Sequence, residues 1–400
     1  MLPGDFVKLL SPEGQALLAE VSVDSKLDVV KTVTRLRAAG HDAGLVATVL
    51  SQAKLRARAK TKFGEFADRM FFTEDALEQA SRLQVAALHA GRFRDAGISQ
   101  VADLGCGIGA ESLAVAAIDL NVVAVELDEV TAACAAYNLA PFENARVENA
   151  DVTTIDLSGF ESQFFDPARR ELGTGRQKAN RKFDPDQFSP NFNWILGEAS
   201  KRPTGIKLGP GHPHEAIPEN CEAQWVSVNG DLVELTLWFG KLARAGVARS
   251  AKLIDKDGIH ELNSSTSNQD HAEVRELGTY LFEPDNAVVR SHLIGDLAKE
   301  HALGLIAPEI AYLTGSQPVS SPWLRSFTVL ENLSFDRKKL KARLHELGIG
   351  ILEIKKRGSD VVPETLRKEL QLKGERAATL IITRVGDSHR ALLCEATEPE

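Results

Sequence analysis

The sequence predicts an α/β protein: an open, largely parallel sheet with helices on both faces, preceded by a helical domain and followed by a small α+β domain. Three observations carry that expectation. An apolar strand runs straight into a glycine turn and a helix at Val101-Ala-Asp-Leu-Gly-Cys-Gly-Ile-Gly109, the kind of junction at which open parallel sheets take up ligands. Strand and helix signals alternate through residues 96–262, as a parallel sheet covered by crossover helices requires. Ahead of that stretch apolar residues recur only at helical spacing, and from residue 326 the alternation starts afresh on a shorter scale. At 400 residues the chain is too long for one ordinary domain. The pattern divides it into a helical domain at 1–95, a sheet domain at 96–262, an extension and linker at 263–325, and the α+β domain at 326–397.

Taken in order, Leu9, Leu10, Leu17, Leu18 and Val21 recur at three- and four-residue steps, and Leu27, Val30, Val33, Thr34 and Leu36 follow suit. Asp42 can cap a third helix running to about Lys60, and Thr73 with Glu74 starts a fourth through Leu88. Lys54, Arg56, Arg58, Lys60 and Lys62 form a dense basic stripe. It reads either as a solvated helix end or as a hold on a nucleic-acid backbone. Strands are expected at 100–104, 121–126, 145–148, 162–165 and 204–208, with helices at 110–118, 128–139 and 186–201. Val233 to Phe239 alternates like a strand while its flanks favour helix, so that run stays open. Lys256-Asp257-Gly258 suggests the turn of a hairpin from Arg249 to Leu262. A helix opens at Pro284 with Leu293, Leu297 and Leu303 as its core stripe, and Ser316 to Pro322 reads as a linker. In the tail, strands at 326–330, 349–354, 377–383 and 389–395 alternate with helices at 336–347 and 363–371.

The formal charge of −9 argues against a uniformly basic protein but hides an asymmetry. Residues 326–394 hold 14 Lys and Arg against 9 Asp and Glu, whereas residues 1–325 hold 33 against 44. A basic tail on an acidic body suggests a local polyanion contact. Cys106, Cys134, Cys221 and Cys394 are scattered without metal-ligand spacing, which favours reduced thiols in the cytoplasm. There is no basic-then-apolar leader and no run near 18 apolar residues, so no membrane partner is expected.

The glycine turn narrows the chemistry. Gly105, Gly107 and Gly109 allow a tight turn and let a ligand lie against bare backbone. Glu126 ends the next strand, where a carboxylate can bind the two hydroxyls of a ribose. Two cofactor classes compete. Gly105, Gly107 and Ala110 satisfy the G-x-G-x-x-A pattern of nicotinamide and flavin dinucleotide binders. Asp103, however, would oppose a pyrophosphate and suits the ammonium and sulfonium end of S-adenosylmethionine. The stretch D-L-G-C-G-I-G resembles the first motif of the class I, Rossmann-like methyltransferases. Glu148 to Asp151 fits the strand end where that family places an acid, here Asp151, for the adenine amino group. Phe164 to Arg170 resembles the family's fourth motif. The resemblance implies S-adenosyl-L-methionine as cofactor, held by Asp103, Gly105, Gly107, Gly109, Glu126 and Asp151.

Substrate chemistry is expected at Asp166, Pro167 and Arg169. In amino methyltransferases, an acid or amide followed by proline accepts the hydrogens of an exocyclic amine and turns its lone pair toward the methyl group. Asp166 and Pro167 match that pattern, but Ala168 and Arg169 do not, a cation standing where the family has an aromatic ring. Asp-Pro-x-Arg also resembles the uracil-C5 methyltransferases, yet Gly205 to Gly209 lacks their nucleophilic cysteine. A structural reading of Asp166 is a helix N-cap. The basic run that follows, with Arg170, Arg176 and Lys182, is suited to clamping phosphate, or else is a solvated loop. His212 and His214 lack a third ligand, so no metal is expected. Lys355-Lys356-Arg357 is a second candidate substrate contact.

The chain is similar over most of its length to a bacterial class I methyltransferase family with a C-terminal THUMP-like domain. The likeness is carried by Phe72 to Ser81, the Asp166 motif, Trp225 to Glu234, and Leu352 to Gly358 with Ala378 to Gly386. It implies an S-adenosylmethionine-dependent methyltransferase whose acceptor is RNA (tRNA or rRNA), most readily at a base nitrogen. The alternatives are a methyltransferase for a small molecule or protein, and a non-catalytic RNA-binding protein.

Overall fold

The computed structural model describes residues 1–22, 28–169, 184–267 and 272–397. The chain forms two compact units: Met1–Leu208 with Thr236–Arg244, and Gly209–Leu235 with Ala245–Glu400.

The first unit opens with helices α1 (Pro3–Leu10), α2 (Pro12–Ser22), α3 (Val29–Ala38) and α4 (Ala43–Phe63). Asp42 accepts the Leu45 N–H at 2.9 Å and starts α4, and Gly64 ends it at φ +57°. The apolar residues between them fall at helical spacing, so Leu45, Val46, Val49, Leu50 and Phe63 are buried together. Cutting one such leucine back to alanine costs about 2–5 kcal/mol. The single helix expected from Thr73 to Leu88 is two, α5 (Glu74–Gln79) and α6 (Leu83–Asp95). The bend between them, Ala80 to Arg82, contains no glycine or proline and left no mark in the periodicity.

The parallel sheet follows as β1 (Gln100–Leu104), α7 (Ala110–Ala116), β2 (Asn121–Glu126), α8 (Glu129–Leu139), β3 (Ala145–Asn149) and β4 (Ser162–Phe165). Two-residue strands β5 (Ala168–Arg169) and β6 (Phe188–Ser189) pair, and α9 (Phe192–Ala199) leads to β7 (Thr204–Leu208). The helix expected at 186–201 is thus shorter, its start fixed by Asn191, which accepts from Asn193 and Trp194. The order is β3-β2-β1-β4-β7, all parallel, so the winding reverses between β1 and β4. A crevice opens outside the carboxyl ends of strands at such a reversal. Buried Asn138 on α8 ties this edge to the front helices, accepting from Phe71 N–H (2.8 Å) and donating to the Phe71 and Ile108 carbonyls (both 3.0 Å).

The second unit contains β8 (Glu222–Val228), which turns at Asn229-Gly230 (φ +52° and +84°) into β9 (Asp231–Phe239), a strand whose residues from Thr236 onward are counted with the first unit. The open run Val233 to Phe239 is therefore strand; its flanks misled because from Glu234 onward both of its faces are buried. β10 (Arg249–Asp255) lies parallel to β8 and forms the expected hairpin with β11 (Gly258–Ser264). Pro284 does not open a helix: it closes β12 (Tyr280–Pro284), paired to residues 324–328, and Asp285 caps α10 (Asn286–Arg290) instead. After α11 (Ile294–Glu300) come β13 (Gly304–Leu305), β14 (Leu313–Gly315), β15 (Leu324–Ser334), α12 (Arg337–Glu346), β16 (Ile349–Lys356), α13 (Pro363–Leu370), β17 (Arg376–Val385) and β18 (Ser388–Thr397). The last seven-stranded sheet runs β13-β14-β12-β15-β18-β17-β16, so the stretch expected as extension and linker supplies three of its strands. Among the described residues no helix is long and apolar enough to cross a membrane, and no cluster of three or more His, Cys, Asp or Glu could hold a metal.

Candidate active site

The turn after β1 takes its shape from Gly105, Gly107 and Gly109, at φ +87°, +56° and +85°. A side chain is strained at all three positions. A Cβ on Gly105 would lie 2.9 Å from the Asp166 carbonyl oxygen, while one on Gly107 would find only Ala76 Cβ, 4.0 Å away. The first glycine lets the turn pack on the acceptor motif, and the second leaves space for a ligand. That space is a cavity of about 940 Å³, walled by the glycine turn, Asp103, Glu126, Asp151, Asp166 and Lys207, and by Thr73–Ala76 and Gln79–Ser81 from the helical front.

Asp103 is the last residue but one of β1, with 1% of its surface exposed. Ser112 Oγ donates to its Oδ2 at 2.5 Å, and Oδ1 takes no hydrogen bond among the described residues. Burial pushes its carboxyl up to about 7, with the neighbouring charges of Glu111 and Asp166 adding to the rise and Ser112 opposing it. Glu126 ends β2, accepting the Gly107 N–H at 3.0 Å and the Asp128 N–H at 2.9 Å. It thus fixes the glycine turn as well as bordering the cavity. Asp151 caps a short turn after β3, its Oδ1 accepting from Thr153 N–H (2.9 Å) and hydroxyl (2.7 Å), bonds that hold its carboxyl below the usual range.

These residues fit S-adenosyl-L-methionine. A buried carboxylate oxygen without a donor suits a cation, and bare backbone at Gly107 admits the ligand. Acids at the ends of β2 and β3 stand where the ribose hydroxyls and the adenine amine are expected. A pyrophosphate would instead meet Asp103, Glu126 and Asp151 at once.

Asp166 leaves β4 at the reversal point and is no helix cap. Lys207 on β7 donates to its Oδ2 at 2.6 Å and to the Gln79 carbonyl at 2.9 Å. The sequence reading missed Lys207. Its signal was a lone cation inside the apolar strand Gly-Ile-Lys-Leu-Gly, where a charge persists only when paired. Glu111 and Ser112 at the start of α7 and the segment 73–81 were also missed. Pro167 is buried beside Asp166. Arg169 lies on β5, but its side chain, together with Arg170, Arg176 and Lys182, falls outside the described residues.

The basic stripe of α4 is largely spoken for. Arg56 donates to the Met70 carbonyl at 2.9 Å and covers the Phe71 ring; Arg58 pairs with Glu74, and Lys60 with Asp68. Lys62 donates to the carbonyls of Leu77, Glu78 and Ala80 at 2.9, 2.7 and 2.7 Å, closing the end of α5. In the second unit, Lys355 pairs with Glu283 at 2.5 Å and borders a separate cavity of about 600 Å³. Arg357 donates to the Ala311 carbonyl at 2.6 Å over the Tyr312 ring, and Lys356 is exposed. His212 and His214 also belong to this unit, with His214 stacked between Trp225 and His292.

Comparison with known proteins agrees with this geometry. A family model described as THUMP domain-like matches residues 324–396, and one described as a domain of unknown function (DUF8688) matches residues 3–59. An uncharacterised S-adenosylmethionine-dependent methyltransferase of Mycobacterium tuberculosis, in strains CDC 1551 / Oshkosh and H37Rv, is 33% identical over 344 residues, covering 83% of this chain and 91% of the relative. A crystal structure from Porphyromonas gingivalis W83, provisionally named a methyltransferase, superposes with a TM-score of 0.74 at 17% identity, over 96% of this chain and 98% of that one. The structural likeness shows the fold, and the Mycobacterium relative shows the family. The chain belongs to the S-adenosylmethionine-dependent methyltransferases, with a Rossmann-like class I sheet, a helical front and a THUMP-like tail.

Proposed function

We propose that this enzyme methylates RNA, tRNA or rRNA, at a base nitrogen. The observation that carries the reading is the place of Asp166, on the wall of the cofactor cavity where β4 leaves the sheet, with Pro167 next to it in the chain. S-adenosylmethionine supplies a methyl carbon activated by its sulfonium. Displacement at that carbon asks the protein to align a lone pair and exclude water. An exocyclic amine donating its hydrogens to the Asp166 carboxylate and the Pro167 carbonyl would present its lone pair along that line. Lys207 donates to Asp166 Oδ2 and so holds the carboxyl group in place before the substrate arrives. Arg169, Arg170, Arg176 and Lys182 follow the motif directly and would take the flanking phosphates. The THUMP-like match and the tail's surplus of basic residues support RNA, with exposed Lys356 as a further phosphate contact. With such an acceptor the enzyme works in the cytoplasm.

A small-molecule or protein acceptor is the second reading, favoured by the engagement of Lys355 and Arg357 within the fold. Nucleoside mass spectrometry of RNA from a strain lacking the protein separates the two. A methylated nucleoside that disappears, and returns with the native gene but not with Asp166→Ala, is the expected result. An unchanged nucleoside profile, with methyl label transferred to protein or metabolite, would overturn the RNA reading.

A further inference from the structure

Beside Asp103, a second carboxylate borders the cofactor cavity. Glu111 sits in the first turn of α7 with 6% of its surface exposed. Its Oε2 lies 3.0 Å from His89 Nδ1, and its Oε1 takes no hydrogen bond among the described residues. His89, on α6, is itself buried, its Nε2 3.3 Å from the Thr236 hydroxyl and its ring against Phe164 and Trp238. The imidazole is therefore fixed from three sides and can hold Glu111 in one position. Ser112, the next residue, donates to Asp103, which sets the two acids side by side at the start of α7.

Two neighbouring carboxylates out of water repel each other, and each is costly without a counter-charge. Lys207 acts on Asp103 only weakly, and its ammonium is bonded to Asp166 and Gln79. His89 meets Glu111 through Oε2 alone, so Glu111 Oε1 and Asp103 Oδ1 keep no donor among the described residues, and a cationic ligand can supply one. S-adenosylmethionine brings one on its amino-acid arm, which the adenosine-facing acids Glu126 and Asp151 do not contact in the arrangement described above.

We propose that Glu111, oriented by His89, binds the α-ammonium of S-adenosylmethionine together with Asp103, so that the cavity recognises the amino-acid arm of the cofactor through a pair of carboxylates. His89 is a positioning residue that acts through Glu111. The inference rests on the cofactor assignment and is independent of the RNA reading.

Calorimetry on the full chain tests it with two ligands that share the adenosine: S-adenosylhomocysteine, which carries the ammonium, and 5′-methylthioadenosine, which lacks the whole arm. Glu111→Gln keeps the shape and removes the charge. It should weaken S-adenosylhomocysteine about tenfold or more, the scale of one charged hydrogen bond, and leave 5′-methylthioadenosine within about twofold. His89→Gln should reproduce the selective loss in smaller measure. Equal losses for both ligands would mean that Glu111 only shapes the wall; no loss for either would mean that Asp103 works alone. Either result overturns the proposal, and retained 5′-methylthioadenosine binding shows that the adenosine site is intact. If Glu111→Gln does not fold, the native protein decides. The groups facing this pair are Asp166, Lys207, Cys106 and His89. Preference for S-adenosylhomocysteine over 5′-methylthioadenosine should widen between about pH 5.5 and 8 as the Asp103 carboxyl, pushed up to about 7 by burial, ionises. A preference that stays flat across that range counts against the paired acids.

Discussion

Around the cofactor cavity, Asp103 and Glu111 are buried with one carboxylate oxygen each lacking a partner among the described residues. In the C-terminal module, Arg343 is held by Glu331 and Glu346, Arg337 by Glu369, and Lys355 by Glu283. The first region keeps two buried carboxyl oxygens without a donor among the described residues; the second pairs many of its charges and leaves exposed lysines such as Lys338, Lys339 and Lys356. A polar group left unsatisfied in a buried wall is sustained by what binds there. Charge matched on a surface mostly serves the fold and adds little stability pair by pair. The cavity therefore fits a cofactor by its geometry, while the tail presents surface cations.

The largest expected effect tests whether the cavity divides its labour. Asp166→Ala should lower turnover by about 10²-fold or more, the usual scale for one positioned group. Affinity for S-adenosylhomocysteine, measured by calorimetry, should stay within a few fold. Equal loss of both would make Asp166 a structural prop of the glycine turn, whose Gly105 packs on its carbonyl.

Next comes the turn itself. Gly107→Val places a β-branched residue at φ +56° and fills the ligand's space. S-adenosylhomocysteine affinity should fall by about ten- to a hundredfold, from strain of about 1–3 kcal/mol. Glu126→Ala, which frees the Gly107 N–H, should fall less far. NAD should show no saturable binding in either the native or the changed protein.

A smaller effect follows from the Asp103 carboxyl, which burial pushes up to about 7 in the folded chain while it ionises near 4 when unfolded. The stabilising contribution of this group is complete below about pH 4 and is lost as pH rises through about 7. A cationic ligand compensates for the ionised form. The rise in Tm given by S-adenosylhomocysteine should therefore grow from pH 6 to pH 8, read by scanning calorimetry. A ligand shift independent of pH would place the ammonium elsewhere.

The smallest effect belongs to the tail. Exchanging Lys338, Lys339 and Lys356 for glutamate should weaken binding of structured RNA modestly. It should also lower the slope of log K against log salt, by about 0.7–0.9 for each phosphate no longer neutralised. Cofactor binding should not change. An RNA affinity that ignores these changes would leave the tail a purely structural module.

How much of this could be read from the sequence follows from how local each signal is. The buried parallel strands appear as short apolar runs, so β1, β2, β4 and β7 fall where their residues predict. The glycine turn and the strand-end acids carry their spacing with them. Lys207 does not: its partner Asp166 lies 41 residues away, and only the pairing of β4 with β7 brings them together. Pro284 failed similarly, because its role as a strand end depends on pairing with Leu324. Glu111 reads as an ordinary acid in a first helical turn until burial removes its water.

The bend between α5 and α6 has a consequence for anyone wishing to cut or recombine this protein. Lys62 closes the end of α5, the carbonyl of Gln79 at that end holds Lys207, and Lys207 holds Asp166. A relay of four residues thus starts in the helical front and ends at the acceptor motif. The boundary at residue 95 separates two patterns of secondary structure but passes through the middle of a working assembly. The front is accordingly not an exchangeable cassette: a graft from another protein would have to supply a lysine, a helix end and a carbonyl in register before the borrowed sheet could hold its own aspartate still.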